Sequence, residues 1–169
     1  MKKILKFIIF ANVLFNVAIF NVLCAADISG LYALPYGKSE TYVEIFKRDN
    51  KYYALGFANK EGTKAGKDIH NPHPHLRDRE LHGTIFMWNL EEIKDGEYAN
   101  GKIYNNNNGK TYHIKAKLAA DALNVVASKD KKGVMGKTLK WRKLTPKEIE
   151  SLKDKRINTE SAVLPKEML

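Results

Sequence analysis

The sequence of 169 residues contains one cysteine, Cys24, which lies in an apolar N-terminal segment. If that segment is removed, the remaining chain has no disulfide, no thiolate nucleophile and no cysteine metal ligand. No serine occupies a Gly-x-Ser-x-Gly elbow. The runs Gly109-Lys110-Thr111 and Gly136-Lys137-Thr138 lack the glycine that a phosphate-binding loop places five residues earlier. No catalytic constellation is found, and we therefore expect a protein that is not an enzyme.

The first 26 residues have the order of a secretory signal peptide. Three lysines stand among the first six residues, an apolar run follows over 7–23, and the small residues Ala25 and Ala26 come next. The run is short for a bilayer span and contains three asparagines. We therefore predict cleavage after Ala26, with Ala25 as the alternative, and a periplasmic or secreted protein without a membrane span after cleavage.

Positive charge dominates the rest of the chain. Loss of the leader's three lysines lowers the formal net charge from +10 to +7. Lys115 and Lys117 alternate with apolar neighbours, as on the solvent face of a half-buried strand. This pattern predicts a basic solvated surface and no nucleic-acid partner. Binding of an anionic polymer by the basic exterior is the alternative. The sequence does not indicate an oligomeric state.

Short segments with strand character, separated by turn residues, fill residues 27–145. Asp49-Asn50 suits a two-residue hairpin turn, and the asparagine run before Gly109 suits another turn. Sequential antiparallel strands of this spacing are typical of a sandwich or an up-and-down barrel. We predict an all-β, eight-stranded antiparallel up-and-down β-barrel. The predicted strands are 28–34, 42–48, 52–58, 84–90, 97–104, 110–118, 123–129 and 135–144.

Two segments lie outside the predicted strands. The polar stretch 59–82 is long for a loop, and we predict that it forms a partly ordered lid over the barrel. Thr145-Pro146-Lys147-Glu148 has the residues of a helix start, so residues 146–169 are predicted to hold a short C-terminal α-helix to about Arg156. The tail from Asn158 is expected to be loose. Either segment would cover the outer side of 84–90, which is apolar on both faces.

Aromatic and aliphatic side chains provide a candidate ligand site. They are expected to be barrel core or to line an apolar pocket. Arg77 and Arg79 are expected either to form local salt bridges or to bind a ligand carboxylate at the barrel mouth. Glu44 is expected to point inward with Tyr42 or outward beside a lysine. The predicted pocket residues are Phe46, Phe86, Trp88, Tyr112, Ile114, Leu118 and Trp141.

Four of the five histidines lie within the long loop, with two prolines between them. Imidazole suits zinc, nickel or copper, and proline lowers the entropy cost of gathering ligands. No regular conformation brings three of these histidines together. A transition-metal site is therefore an alternative to an exposed loop that binds no metal. The candidate ligands are His70, His73 and His75, with His82 nearby.

Several short motifs follow one another in order over about 28–144. The motifs are Asn71-Pro72, Leu76-Arg77-Asp78-Arg79, Gly101-Lys102-Ile103-Tyr104, Gly109-Lys110-Thr111-Tyr112 and Trp141-Arg142. In this order they resemble the exported bacterial family catalogued as domain of unknown function 2147. His73 and Glu80 depart from the aspartate and proline usual there, and His82 replaces an apolar residue.

The resemblance implies a calycin or lipocalin-like barrel, and Gly30-Leu31-Tyr32 is similar to the lipocalin Gly-x-Trp element. Such barrels carry small hydrophobic molecules, so a fatty-acid-like ligand is the expectation.

Overall fold

The structure is a computed structural model that describes residues 27–169. The predicted signal peptide 1–26, with Cys24 and the cleavage position, lies outside the described residues. No helix within 27–169 is long and apolar enough to cross a bilayer. The elements are β1 (Gly30–Tyr36), β2 (Ser39–Arg48), β3 (Lys51–Asn59), β4 (Ile85–Lys94), β5 (Glu97–Asn105), β6 (Lys110–Leu118), β7 (Ala122–Ser128), β8 (Gly136–Lys143) and α1 (Pro146–Leu152).

The eight strands form a closed barrel. Each strand pairs antiparallel with the next, and β1 pairs with β8, so the predicted up-and-down barrel with a short C-terminal helix is confirmed. The ladder between β2 and β3 extends from Thr41 to Arg48. The ladder that joins β1 to β8 has two residue pairs, Tyr32 with Lys143 and Ala33 with Arg142. The seam between the first and last strands is therefore short.

Two tight turns follow the sequence prediction. Asp49 and Asn50 have φ angles of 49° and 59°, the left-handed conformation that a two-residue hairpin turn requires. Gly109 has a φ of 65° and donates its N–H to the carbonyl of Asn105 at 2.9 Å. A Cβ at Gly109 would overlap the carbonyl oxygen of His70. Glycine therefore allows the long loop to approach the β5–β6 turn.

The barrel interior is one cluster of buried side chains to which all eight strands contribute. Because side chains alternate across a strand, one face of each strand points into this interior cluster. Leu34, Phe86, Tyr112, Leu118 and Leu139 are partly buried against it. Its members are Ile28, Tyr32, Val43, Ile45, Tyr52, Ala54, Met87, Leu90, Tyr98, Ile103, Ile114, Ala116, Leu123, Val125 and Trp141.

A second cluster lies on the outer faces of β1 to β5. The C-terminal segment covers it and supplies Leu152, Ala162 and Met168. Leu76 of the long loop packs against the same cluster, so both segments predicted to cover the outer side of the sheet do so. We call this set the outer cluster. Its strand residues are Leu31, Ala33, Phe46, Leu55, Phe57, Ile85, Trp88 and Tyr104.

Helix α1 begins with the capping box that its sequence predicts. Thr145 Oγ1 accepts the backbone N–H of Glu148, and Glu148 Oε2 accepts the backbone N–H of Thr145 at 2.7 Å. Arg142 donates to both carboxylate oxygens of Glu148 at 2.9 Å. These bonds, with the Thr145 backbone N–H next in importance, lower the pKa of Glu148 to about 2. The last strand and the helix are therefore joined by charge-assisted hydrogen bonds.

The prediction of a loose tail from Asn158 is wrong. Residues 159–161 and 166–168 form 3-10 turns, and Ala162 and Met168 are buried in the outer cluster. Arg48 of β2 donates to the carbonyl oxygens of Thr159 at 2.8 Å and Ala162 at 3.1 Å. The tail has no helical periodicity, but its few apolar residues dock on the exposed side of the sheet.

Two strand faces also differ from prediction. Trp88 is predicted to line the interior pocket with Phe86, but it lies in the outer cluster. The register of β4 against β3 shifts, and Asn89 has a φ of 55°, so strict alternation fails there. Glu44 points outward under the C-terminal segment, where its carboxylate accepts hydrogen bonds from Arg156 Nε at 3.1 Å and from Nη2. The inward placement of Glu44 is therefore wrong.

Candidate functional site

A pair of aromatic rings crosses the barrel interior. Phe86 on β4 and Trp141 on β8 have ring centroids 6.0 Å apart, and these strands stand on opposite walls of an eight-stranded barrel. The Trp141 side chain is fully buried. Its indole Nε1 has no hydrogen-bond partner among the described residues. The pair therefore bridges the interior between these two walls, and we call it the floor.

Below this floor, at the end with the β2–β3 and β4–β5 turns, the interior is filled. We call this the closed end. Tyr52 and Tyr98 meet edge to face at 5.5 Å, and both are about 1% exposed. Tyr32 donates its hydroxyl to the carbonyl of Ile28 at 3.0 Å. Burial raises the pKa of Tyr32 and of Tyr52 to about 12, so these hydroxyls stay neutral at physiological pH. At this end the aromatic residues are packed core.

A pocket of about 930 Å³ opens at the other end of the barrel. We call this the open end, and it holds the β1–β2, β3–β4, β5–β6 and β7–β8 connections. Leu34, Val43, Gly56 and Phe86 form the part of the pocket wall that belongs to the barrel interior. Polar side chains surround the entrance. They include Ser39, Glu40, Thr41, Asn59, Glu61, Thr63, Lys64, Glu80, His82, Thr84, Asn106 and Arg156.

Gly56 creates part of this space. It pairs with Val43, which is fully buried, so its missing side chain would project on the inner face of β3. The nearest atom to a Cβ built there is Thr41 Cγ2 at 3.9 Å, which is ordinary contact. Sequence reasoning missed Leu34, Val43 and Gly56. A glycine inside a strand pattern is a signal that could have indicated this position.

One hydrogen bond bridges the entrance region. The Tyr36 hydroxyl at the end of β1 donates to Asn107 Oδ1 at 2.7 Å, which links the β1–β2 and β5–β6 connections.

Residues 60–84 form a lid that borders the pocket on a second side. Within it, Lys67 and Glu80 form an antiparallel bridge, and Leu81 donates its N–H to Gly66 at 3.0 Å. The lid is thus a folded, hairpin-like segment, whereas the sequence predicted one that is only partly ordered.

A buried carboxylate fastens the lid to the barrel wall. Asp68 is fully buried, and its Oδ2 accepts from Arg79 Nε at 3.0 Å and Nη2 at 2.8 Å. Its Oδ1 accepts the Tyr104 hydroxyl at 2.7 Å. The buried Asn71 adds an Nδ2 donor at 2.7 Å to Oδ2. These donors compensate the free-energy cost of removing the Asp68 carboxylate from water.

Both arginines predicted at the barrel mouth form hydrogen bonds within this lid. Arg79 is occupied by Asp68, and Arg77 Nε donates to the carbonyl of Asn71 at 2.8 Å. Neither lines the pocket described above. Of the two interpretations that the sequence allowed, the structure places these arginines in local contacts, and their placement at the mouth to bind a ligand carboxylate is wrong.

The histidines of the lid do not converge. The rings of His73 and His75 have centroids 6.1 Å apart, and His75 Nε2 lies 3.4 Å from Glu167. His70 and His82 are exposed. Within residues 27–169, no group of three or more histidine, cysteine, aspartate or glutamate side chains is arranged to hold a metal ion. The geometry gives the metal hypothesis no support.

The other predicted pocket residues divide between the two clusters. Phe46 and Trp88 belong to the outer cluster, so their predicted place in the interior is wrong. For Phe46 the reason is simple alternation, because its neighbours Ile45 and Val43 face inward. The remaining five are interior residues. They are Phe86, Tyr112, Ile114, Leu118 and Trp141.

A closed eight-stranded antiparallel barrel with a pocket at one end and a C-terminal helix defines a lipocalin-like protein. Residues 30–143 match the family described as "Uncharacterized protein conserved in bacteria (DUF2147)", and the chain belongs to this family. The chain is similar to the solved structure of protein HP1028 from Helicobacter pylori, described as belonging to the lipocalin family. Identity is 36%, the TM-score is 0.75, and the match covers 79% of this chain and 94% of the other. No curated protein matches the chain.

Proposed function

We propose that this protein is an exported binding protein that holds a small, largely hydrophobic ligand in the pocket at the open end of its barrel. The lipocalin-like fold supports ligand binding in general. One observation carries the specific proposal: apolar side chains and a glycine line a pocket above an aromatic floor. Export is the expectation of the leader sequence and is part of the proposal.

The size and character of the pocket suit a lipid-like molecule. Its volume of about 930 Å³ lies near the upper end of the range of about 300–1,000 Å³ for small-molecule sites. An apolar ligand that buries about 300 Å² gains about 7.5 kcal/mol from the hydrophobic effect. A micromolar dissociation constant corresponds to about 8 kcal/mol. The burial term of a fatty-acid chain is therefore of the same order as the free energy of micromolar binding, before the cost of association is subtracted.

One buried polar group lies behind the pocket wall, on the far side of Phe86. Trp141 Nε1 is a buried donor without a partner among the described residues, and such a group costs about 1–3 kcal/mol. Trp141 touches Phe86, which lines the pocket. A ligand that brings a hydrogen-bond acceptor to this depth would relieve that cost. The polar side chains around the entrance would contact a head group at the other end.

Fluorescence of Trp141 tests the proposal. The chain has two tryptophans, and Trp88 lies on the outer face of the barrel. In a Trp88→Phe background, the emission of Trp141 should change saturably during titration with fatty acids of increasing length. Gly56→Leu, which places a bulky side chain inside the pocket, should weaken binding by about tenfold or more. Ala120→Leu, an exposed change at the closed end, is the matched control.

Absence of saturable change at every chain length would refute the hydrophobic ligand. Equal weakening by Gly56→Leu and Ala120→Leu would refute the location of the pocket. Export has its own test, which is N-terminal sequencing of the protein recovered from outside the cytoplasm. The expected first residue is Asp27 or Ala26, and a start at Met1 would refute cleavage.

A further inference from the structure

Residues 129–137, which are the connection between β7 and β8 together with the first two residues of β8, carry an unusual pair of neighbours. Val134 is 79% exposed and Met135 is 78% exposed. We call residues 129–137 the β7–β8 tip. Exposed apolar residues elsewhere in 27–169, such as Ile93 and Val163, do not stand next to a second one. Two adjacent apolar side chains at the end of a hairpin form a small projecting apolar point.

Hydrogen bonds hold the β7–β8 tip in one shape. Asp130 Oδ1 accepts the backbone N–H of Gly133 at 2.8 Å and of Val134 at 3.3 Å, and Oδ2 accepts that of Met135 at 3.3 Å. The Ser128 hydroxyl donates to the Asp130 carbonyl at 2.6 Å. The apolar pair is therefore presented by an ordered turn, and its exposure is a property of the fold.

The tip presents positively charged side chains to solvent. Residues 129–137 contain four lysines and one aspartate, a formal charge of +3. The Asp130 carboxylate faces the turn backbone, and the N–H of Val134 is the main cause that holds its pKa below the usual range. From the neighbouring strand β6, Lys115 Nζ donates to the carbonyl of Lys132 at 2.9 Å and adds a further positive charge.

The tip stands at the open end of the barrel. β8 is the neighbour of β1, whose end carries Tyr36, 49% exposed, and Lys38 follows in the adjacent turn. Pro35 and Tyr36 line the pocket. The basic and apolar point is therefore on the same end of the barrel as the pocket entrance.

We propose that the β7–β8 tip docks this protein on the surface of an anionic lipid bilayer, with Val134 and Met135 entering the headgroup region and the lysines contacting anionic lipids. Apolar side chains flanked by lysines have the composition of interfacial membrane anchors. A protein partner would need about 800 Å² on each side for a stable interface, and two small apolar side chains fall far below that. The proposal does not depend on the ligand of the pocket.

Co-sedimentation with lipid vesicles tests the proposal. The protein is the chain 27–169, because the apolar leader would bind lipid by itself, and these residues form the complete barrel. Vesicles contain either phosphatidylcholine with phosphatidylglycerol or phosphatidylcholine alone. We expect sedimentation with the anionic vesicles, about tenfold weaker with phosphatidylcholine, and weakened by salt.

Two double variants locate the contact. Val134→Ser with Met135→Ser removes the apolar point, and Lys131→Gln with Lys132→Gln removes two charges. Each should lower anionic vesicle binding by about tenfold. Ile93→Ser with Val163→Ser is the matched control, since it removes exposed apolar residues elsewhere, and it should bind as the unmodified chain does.

Failure to sediment with anionic vesicles would overturn the proposal. Equal losses in the control variant would overturn the assignment to the tip. Light scattering that shows a dimer abolished by Val134→Ser with Met135→Ser would assign the tip to a second copy of the chain and would equally overturn it. The titration of Trp141 with fatty acids is unaffected by any of these outcomes, so the two proposals fail separately.

Discussion

The closed and open ends of the barrel are built from similar residues in different packing. At the closed end Leu90, Tyr52 and Tyr98 are fully or almost fully buried. At the open end Leu34 and Phe86 are partly buried and border a pocket. Close packing gives a core its stability, whereas apolar surface in contact with a cavity gains less from burial. One end thus stabilises the fold and the other retains space for a ligand.

Two glycines show the same contrast. Gly101 faces the interior below the floor, where an added Cβ would lie 2.8 Å from Ile114 Cγ1 and 2.9 Å from Leu90 Cβ. Gly56 faces the interior above the floor, where an added Cβ would have no neighbour closer than 3.9 Å. Neither has a positive φ, so conformational strain does not explain either glycine. The first glycine allows close packing and the second leaves a pocket.

Truncating one leucine at each end should give the largest difference. Leu90→Ala removes a fully buried side chain and should lower the free energy of unfolding by about 2–5 kcal/mol. Leu34→Ala removes a partly buried side chain beside the pocket and should cost about 1 kcal/mol. Urea denaturation of both variants measures this. Equal losses would mean that the two ends are packed alike.

The lid should loosen when its buried charge is removed. Asp68→Asn keeps the shape but loses the charge-assisted bonds from Arg79, which should cost about 2 kcal/mol. Because the lid is a local unit, faster amide exchange is expected in 68–82 while the strands stay protected. Asp78→Asn, whose side chain is 92% exposed, is the matched control. Unchanged exchange in 68–82 would contradict this role of Asp68.

The glycine pair should give an effect of similar size to that of Asp68→Asn. Gly101→Ala should destabilise the protein by about 1–3 kcal/mol, because the added methyl group overpacks the interior. Gly56→Ala should leave stability almost unchanged, because the space is free. The two thermal midpoints should therefore separate. A loss for Gly56→Ala as large as that for Gly101→Ala would mean that the open end has no space for a side chain.

Low pH should weaken the Arg142–Glu148 link between β8 and α1, and this is the smallest of the expected effects on stability. The folded pKa of Glu148 lies at about 2, below its ordinary 4.5, so its contribution is present above pH 4.5 and is lost as pH falls toward 2. Glu148→Gln should therefore lose more stability relative to the unmodified protein at neutral pH than near pH 2. Glu150→Gln, an exposed change on the same helix, is the control. A pH-independent difference for Glu148→Gln would contradict the shifted pKa.

The barrel could be predicted from the sequence because the signals for its strands and turns lie in short, continuous segments of the chain. Asp49-Asn50 and the asparagines before Gly109 mark turns, and alternation marks the strands between them. The faces of β4 could not be predicted, because the positive φ at Asn89 and the register shift depend on pairing with β3. The role of Arg79 depends on Asp68 in the same lid and on Tyr104 of β5, which meet only when the lid packs against the barrel. Long-range contacts thus explain the errors at the candidate site.

Native mass spectrometry of the protein purified from the cells that naturally produce it tests the central claim most directly. The account predicts a population with the additional mass of one small lipid-like molecule, released on unfolding and absent from Gly56→Leu purified in the same way. A protein that carries no added mass, with fatty acids also failing to bind in vitro, would contradict it. An added mass that persists unchanged in Gly56→Leu would place the ligand outside the pocket and would contradict it equally.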